Sequence, residues 1–143
     1  MNLPEEKPKR GVSWRSWAIL AALIAIVVAV ALPQYADYAA RARVAEGLLF
    51  AAPYKTAIAE ITLRLDRLPN AGELPKVEGS SPAVAALELL PGGVIRIRFK
   101  GHRAIEGKSA ELVPLYQKAG QVDWKCRNID VPVRELPAVC RQP

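Results

Sequence analysis

A chain of 143 residues, 51% hydrophobic and 24% charged, has room for one small domain beside any segment given over to lipid, and not for several. Its formal charge of +6 favours contact with phosphate-rich surfaces or anionic polymers without identifying one. Two cysteines and one histidine are too few ligands for a structural metal site, so no metal and no cofactor is expected.

Residues 1–11, MNLPEEKPKRG, hold two prolines, two glutamates and three bases, and read as a short polar leader that buries nothing. From Trp17 to Tyr35 the chain runs WAILAALIAIVVAVALPQY, and no charge occurs between Arg15 and Asp37. A helix with no wet face belongs in lipid or inside a packed bundle. At about 1.5 Å per residue the run just spans a hydrocarbon slab about 30 Å thick. It is longer than the apolar region of a secretory signal, about 7–15 residues, and ends in Leu32-Pro33-Gln34-Tyr35 rather than in a small-x-small cleavage site. Lys7, Lys9, Arg10 and Arg15 precede it, against Arg41 and Arg43 after it, which places the N-terminus in the cytoplasm and exports the remainder.

The helical pattern continues over residues 36–65, rich in Ala, Leu, Arg and Glu. Phe50, Tyr54, Ile58, Ile61 and Leu65 recur every three or four positions and predict one apolar stripe packed on a sheet, with Glu60 and Arg64 spaced to pair. Pro33 and Pro53 each remove a backbone donor and read as kinks; unbroken from Trp17 to Leu65 the helix would be roughly 70 Å long, and the alternative is two helices broken at either proline. Between Asp66 and Gly93 the clusters Pro69-Asn70-Ala71-Gly72, Gly79-Ser80-Ser81-Pro82 and Pro91-Gly92-Gly93 signal turns, leaving Ala83 to Leu90 as a short helix or strand.

Val94 to Lys100 alternates Ile95, Ile97 and Phe99 with Arg96, Arg98 and Lys100, the period of a half-buried strand. A second strand is expected over Glu111 to Gln117, where Pro114 suggests an edge or a bulge, and a third over Gln121 to Cys126, with Val122, Trp124 and Cys126 on one face. Joined by short links these make an antiparallel meander. Cys126 and Cys140, in an exported domain, read as one disulfide. His102 sits in the polar turn Lys100-Gly101-His102-Arg103 and reads as a solvated loop residue. No serine or cysteine nucleophile has a base near it in sequence, so an enzyme is not expected.

The junction Gly11-Val12-Ser13-Trp14-Arg15-Ser16-Trp17, the stretch Leu32 to Tyr38, the run Arg41-Ala42-Arg43-Val44-Ala45-Glu46-Gly47 and the terminal pattern Trp-Lys-Cys to Leu-Pro and Cys-Arg together resemble the type IV pilins. In that family the leader ends in glycine before the apolar helix and a proline lies at the twenty-second mature position; counting from Val12, Pro33 is that residue. The resemblance implies an α+β fold: a long kinked N-terminal helix, half membrane-spanning and half amphipathic, packed on a small antiparallel sheet with a C-terminal disulfide loop. It divides the chain into a leader (1–11), a transmembrane or filament-core helix (12–35), its amphipathic continuation (36–65) and a globular β domain (66–143) whose loop closes over 126–140.

It also implies cleavage between Gly11 and Val12 by a prepilin peptidase, and partners in other pilin subunits, the inner-membrane assembly platform and membrane lipid. Two positions depart from the pattern: the first mature residue is Val12 rather than phenylalanine, and Ser16 stands where the family has glutamate. In pilins that glutamate is thought to offset the N-terminal amine of a neighbouring subunit in the apolar filament core, and a hydroxyl cannot neutralise a charge.

Three readings follow. The chain is a major or minor pilin of a type IV pilus, serving adhesion, motility or DNA uptake. Or it binds an anionic polymer such as DNA, or a glycan, through the row Arg96, Arg98 and Lys100, the bland alternative being a solvated strand face. Or it is an uncleaved, membrane-anchored pilin-like accessory protein, for which Ser16 is the motive.

Overall fold

The computed structural model describes residues 13–117 and 120–141. The chain divides into two units, one ending at Tyr35 and the other beginning at Ala36.

In the first unit the described residues from Trp14 onward belong to helix α1 (Trp14–Phe50), and every described residue from Ser13 to Tyr35 is exposed. Pro33 lies inside α1. The helical path is divided further on: α2 (Ala52–Leu65) starts after a turn at Ala51, with Pro53 within its first two positions. Pro53 has no N–H and its ring crowds the preceding turn, so the break falls immediately before it. Ala51 keeps near-helical angles, donates to Leu48 O at 3.2 Å and accepts from Lys55 N at 3.1 Å, so the path continues across the break.

The second unit is helix on sheet. One stripe runs through both helices, Ala40, Val44, Gly47, Ala51, Tyr54, Ile58 and Thr62, each three or four residues from the last and each buried. The sequence-based stripe correctly contains Tyr54 and Ile58, but its lower end is displaced: Thr62 is buried, while Ile61 is half-buried and Leu65 exposed. Hydropathy misses Thr62 because its hydroxyl is polar. Here Thr62 Oγ1 donates to Ile58 O at 2.8 Å, which removes most of the cost of burying it. Glu60 and Arg64 do not form the ion pair their spacing allows; both point outward beside α2.

The sheet has four antiparallel strands in the order β1 (Val84–Leu90), β2 (Val94–Phe99), β3 (Ser109–Tyr116), β4 (Val122–Asn128). The segment 83–90 thus supplies a fourth strand, joined to β2 by the tight turn Pro91–Gly93. Ile95, Ile97 and Phe99 are fully buried against the helix stripe. Gly47 is a point of close approach, since a Cβ there would lie 2.6 Å from Phe99 Cε1. Only glycine lets α1 sit that near β2.

β3 is an inner strand of the sheet, yet at Pro114 it is locally an edge, one of the two alternatives, edge or bulge, that the proline suggests. The proline is accommodated because the last β2–β3 pair is Ile95 with Leu112; at Pro114 the pairing is with Trp124 of β4 alone. Locally the strand has a single neighbour, so no ladder bond to β2 is lost.

Side chains pin the long connection to this frame. Tyr54 Oη donates to Glu78 O at 2.6 Å and accepts from Glu78 N at 2.9 Å. Tyr116 Oη donates to Asp66 Oδ1 at 2.5 Å, and Asp66, left-handed at φ 52°, terminates α2. Past β4 the chain returns through two single-turn 3-10 segments, Val133–Glu135 and Ala138–Cys140, and is closed by a disulfide between Cys126 and Cys140, S–S 2.00 Å. Val131 and Leu136 are buried under this loop.

Candidate functional site

The helix of the first unit carries the most unusual surface of the chain. Trp17, Ile19, Leu23, Ile24, Ile26 and Val30 are each between 55% and 63% exposed, with no charged side chain among them. A soluble domain does not leave such a continuous apolar surface in water. Among the described residues this is the one helix long and apolar enough to cross a membrane.

At its start, Ser16 Oγ lies 3.1 Å from Ser13 Oγ, and Ser16 N donates to Ser13 O at 2.9 Å. Ser16 therefore serves its own first turn and presents no negative charge. Gly11 and Val12, the expected cleavage junction, lie outside the described residues.

The outer face of the sheet bears the basic row, and register determines what it becomes. Glu88 of β1 is opposite Arg96 of β2, Arg96 is opposite Glu111 of β3, and Glu111 is opposite Arg127 of β4. Alternating charges thus cross all four strands in one line. Arg96 Nε donates to Glu111 Oε1 at 2.9 Å, Arg127 Nε donates to Glu111 Oε2 at 3.0 Å, and a second Arg127 donor closes on the same oxygen. Glu111 is only 2% exposed. Burial pushes its carboxyl up, but the hydrogen bonds from Arg127 and Arg96 outweigh burial and hold it below its usual value.

Arg98 lies 3.8 Å from Glu88, and Lys100 is past the end of β2, its amide bonded to Ala83 O. Two of the three bases in the row therefore have carboxylates beside them. The sequence shows Glu88 and Glu111, but not that they fall opposite arginines, because cross-strand register is not written locally.

Replacing Glu111 by glutamine is expected to destabilise the second unit by about 1–2 kcal/mol at neutral pH: Arg96 and Arg127 lose a shared partner, though both are exposed enough for water to repay part of it. A second carboxyl behaves similarly: Glu73, bonded by Arg67 and by Asn70 N, is held at about 2. Groups with depressed folded-state values contribute stability that is complete above the unfolded value, near 4.5, and lost as pH falls through the folded value. Thermal unfolding from pH 7 down to 2 should show the melting temperature falling below about pH 4.5, with a shallower fall in E111Q.

Elsewhere the chemistry is sparse. His102 Nδ1 accepts from Ala104 N at 3.3 Å and shapes its turn. Among the described residues no three His, Cys, Asp or Glu side chains gather to hold a metal ion.

The pilin family profile, described as a bacterial filament protein, matches residues 40–141. A fimbrial protein of Neisseria meningitidis serogroup B is 34% identical over 115 residues, covering 76% of this chain and 66% of the relative. The type IV major pilin protein PilE of Neisseria gonorrhoeae is 34% identical over 121 residues, covering 76% and 68%. The fimbrial protein EcpC of Eikenella corrodens is 30% identical over 132 residues, covering 86% and 84%. The chain spans about two thirds of the length of the two Neisseria relatives. With a helix stripe on an antiparallel sheet, a terminal disulfide loop and an unpartnered apolar helix, the chain belongs to the pilin family, as a type IV pilin.

Proposed function

We propose that the protein is a structural subunit of a type IV pilus, held in the inner membrane by its apolar helix and then packed helix to helix into a filament. The observation that carries this reading is the helix from Trp14 to Tyr35, apolar and exposed on every side in the single chain. Such a surface is stable only in lipid or against like helices, and both environments are available to a subunit that moves from membrane to filament.

In this reading residues 1–11 are a leader removed by a prepilin peptidase at the Gly11–Val12 junction, and an inner-membrane platform extrudes the processed subunit. The N-terminus is cytoplasmic and the unit beginning at Ala36 is on the far side. Two independent features support that topology: the excess of Lys7, Lys9, Arg10 and Arg15 before the apolar run that starts at Trp17, and a disulfide that persists only in an oxidising compartment. Immunogold electron microscopy with antibody against the unit beginning at Ala36 tests assembly; label along surface filaments supports it, and label confined to the envelope of piliated cells contradicts it.

A second reading, a membrane-resident accessory protein, is favoured by Ser16. Without a carboxylate there, docking against a neighbour's N-terminal amine is weaker. Ser16→Glu is therefore expected to raise the ratio of filament to membrane protein several-fold in quantitative immunoblots; an unchanged or lower ratio refutes the charge argument. A role of the Arg96, Arg98 and Lys100 row in holding DNA or another anionic polymer is the weaker proposal, because Glu88 and Glu111 offset much of its charge.

A further inference from the structure

A cleft of about 430 Å³ lies between β4 and the disulfide loop. Its apolar lining is Val113, Val133, Leu136 and the Cys126–Cys140 disulfide; its charged lining is Lys125, Arg127 and Arg141, with no carboxylate. The two guanidiniums are positioned by the protein itself. Arg141 Nε donates to Leu136 O at 2.8 Å, and Arg127 spends Nε and one terminal nitrogen on Glu111. Each keeps further N–H donors that these bonds do not use. Arginines fixed in this way lose little conformational freedom when an anion arrives. Lys125, exposed on the next outward position of β4, adds a third cationic group, while Glu111 offsets part of the charge on Arg127.

From this geometry we infer that the cleft binds a small organic anion, an acidic head on a short aliphatic body. The head is held by Lys125, Arg127 and Arg141 while the body lies on Val113, Val133 and Leu136. The volume is within the range of small-molecule sites, about 300–1,000 Å³. Nucleic acid is a poorer fit, since no aromatic side chain lines the cleft for bases to stack on. The two walls, β4 and the returning loop, are covalently joined by the disulfide that lines the site. Binding is therefore conditional on oxidation: reduction frees the wall carrying Val133, Leu136 and Arg141. Binding in this cleft does not require filament assembly.

The test is titration calorimetry on the unassembled full-length chain in neutral phosphatidylcholine nanodiscs, with hexyl phosphate, inorganic phosphate and hexanol as probes and empty discs as the blank. Hexyl phosphate should bind the oxidised protein at least about tenfold more tightly than either fragment, because only it uses both parts of the cleft. Lys125→Glu should weaken it about tenfold, and reduction should abolish it, whereas Lys76→Glu, the same charge change at an exposed site outside the cleft, should leave it unchanged. Equal loss in K125E and K76E would mean attraction by net charge alone and would overturn the inference. So would equal affinity for inorganic phosphate, binding that survives reduction, or displacement of hexyl phosphate by a short single-stranded oligonucleotide at equal concentration.

Discussion

Replacing Phe99 by alanine is expected to lower the unfolding free energy of the second unit by about 3–5 kcal/mol, the range for emptying a buried aromatic site. Phe99 ends β2 with none of its surface exposed, and its ring occupies the space that Gly47 of α1 leaves open. The helix cannot settle into the void, because the stripe above and below Gly47, Val44 and Ala51, is itself packed on the core. Protection of the β2 and β3 amides against hydrogen exchange reports this loss directly.

The complementary change separates packing from propensity. Gly47→Ala should gain up to about 1 kcal/mol of helix propensity, yet lose about 1–3 kcal/mol to collision with the Phe99 ring. A Phe99→Leu background should relieve the collision, so the two substitutions should couple. If G47A proves stabilising in the native background, the close helix-to-sheet approach is wrong.

Removing the disulfide by Cys126→Ser with Cys140→Ser is expected to cost about 3 kcal/mol, from the chain entropy of a loop whose ends are separated by 14 residues. That is a large share of the roughly 5–15 kcal/mol a small domain has. The loop itself should loosen first. It holds Glu135 with only 1% of its surface exposed, Oε1 paired to Arg134 and Oε2 without a hydrogen-bond partner among the described residues. A carboxylate in that position favours release into water, and the disulfide opposes release. Amides of residues 129–141 should therefore lose protection before those of β2. A loss below about 1 kcal/mol, with the loop still protected, would show that packing of Val131 and Leu136 holds it without the crosslink.

The helix, β2 and the disulfide were legible in the sequence because each is marked locally: an uncharged run from Trp17, strict alternation from Ile95 to Phe99, and a single pair of cysteines. The fourth strand was ambiguous because Val84 to Leu90 is a short apolar run that periodicity alone does not assign. Pro114 marks a position without a ladder partner on one side, but sequence cannot show that the strand carrying it is an inner one beyond which β2 does not reach. Thr62 escaped the apolar stripe because a polar side chain bonded to its own helix is invisible to hydropathy.

For the candidate site the division is similar. The apolar surface was plain from composition, and so was the departure at Ser16. The neutralisation of Arg96 and Arg98 was not, since Glu88 and Glu111 meet them only through register, and the cleft depends on a returning loop whose path no local pattern encodes.

The most direct test of filament assembly is the intact mass of the protein in two fractions of the producing cells, sheared surface filaments and washed membranes. The expected result is a species in the sheared fraction that lacks residues 1–11 and is two hydrogens lighter than the reduced chain. Full-length protein confined to the membranes, with none in the sheared filaments, would contradict it and leave Ser16 as the first residue to examine.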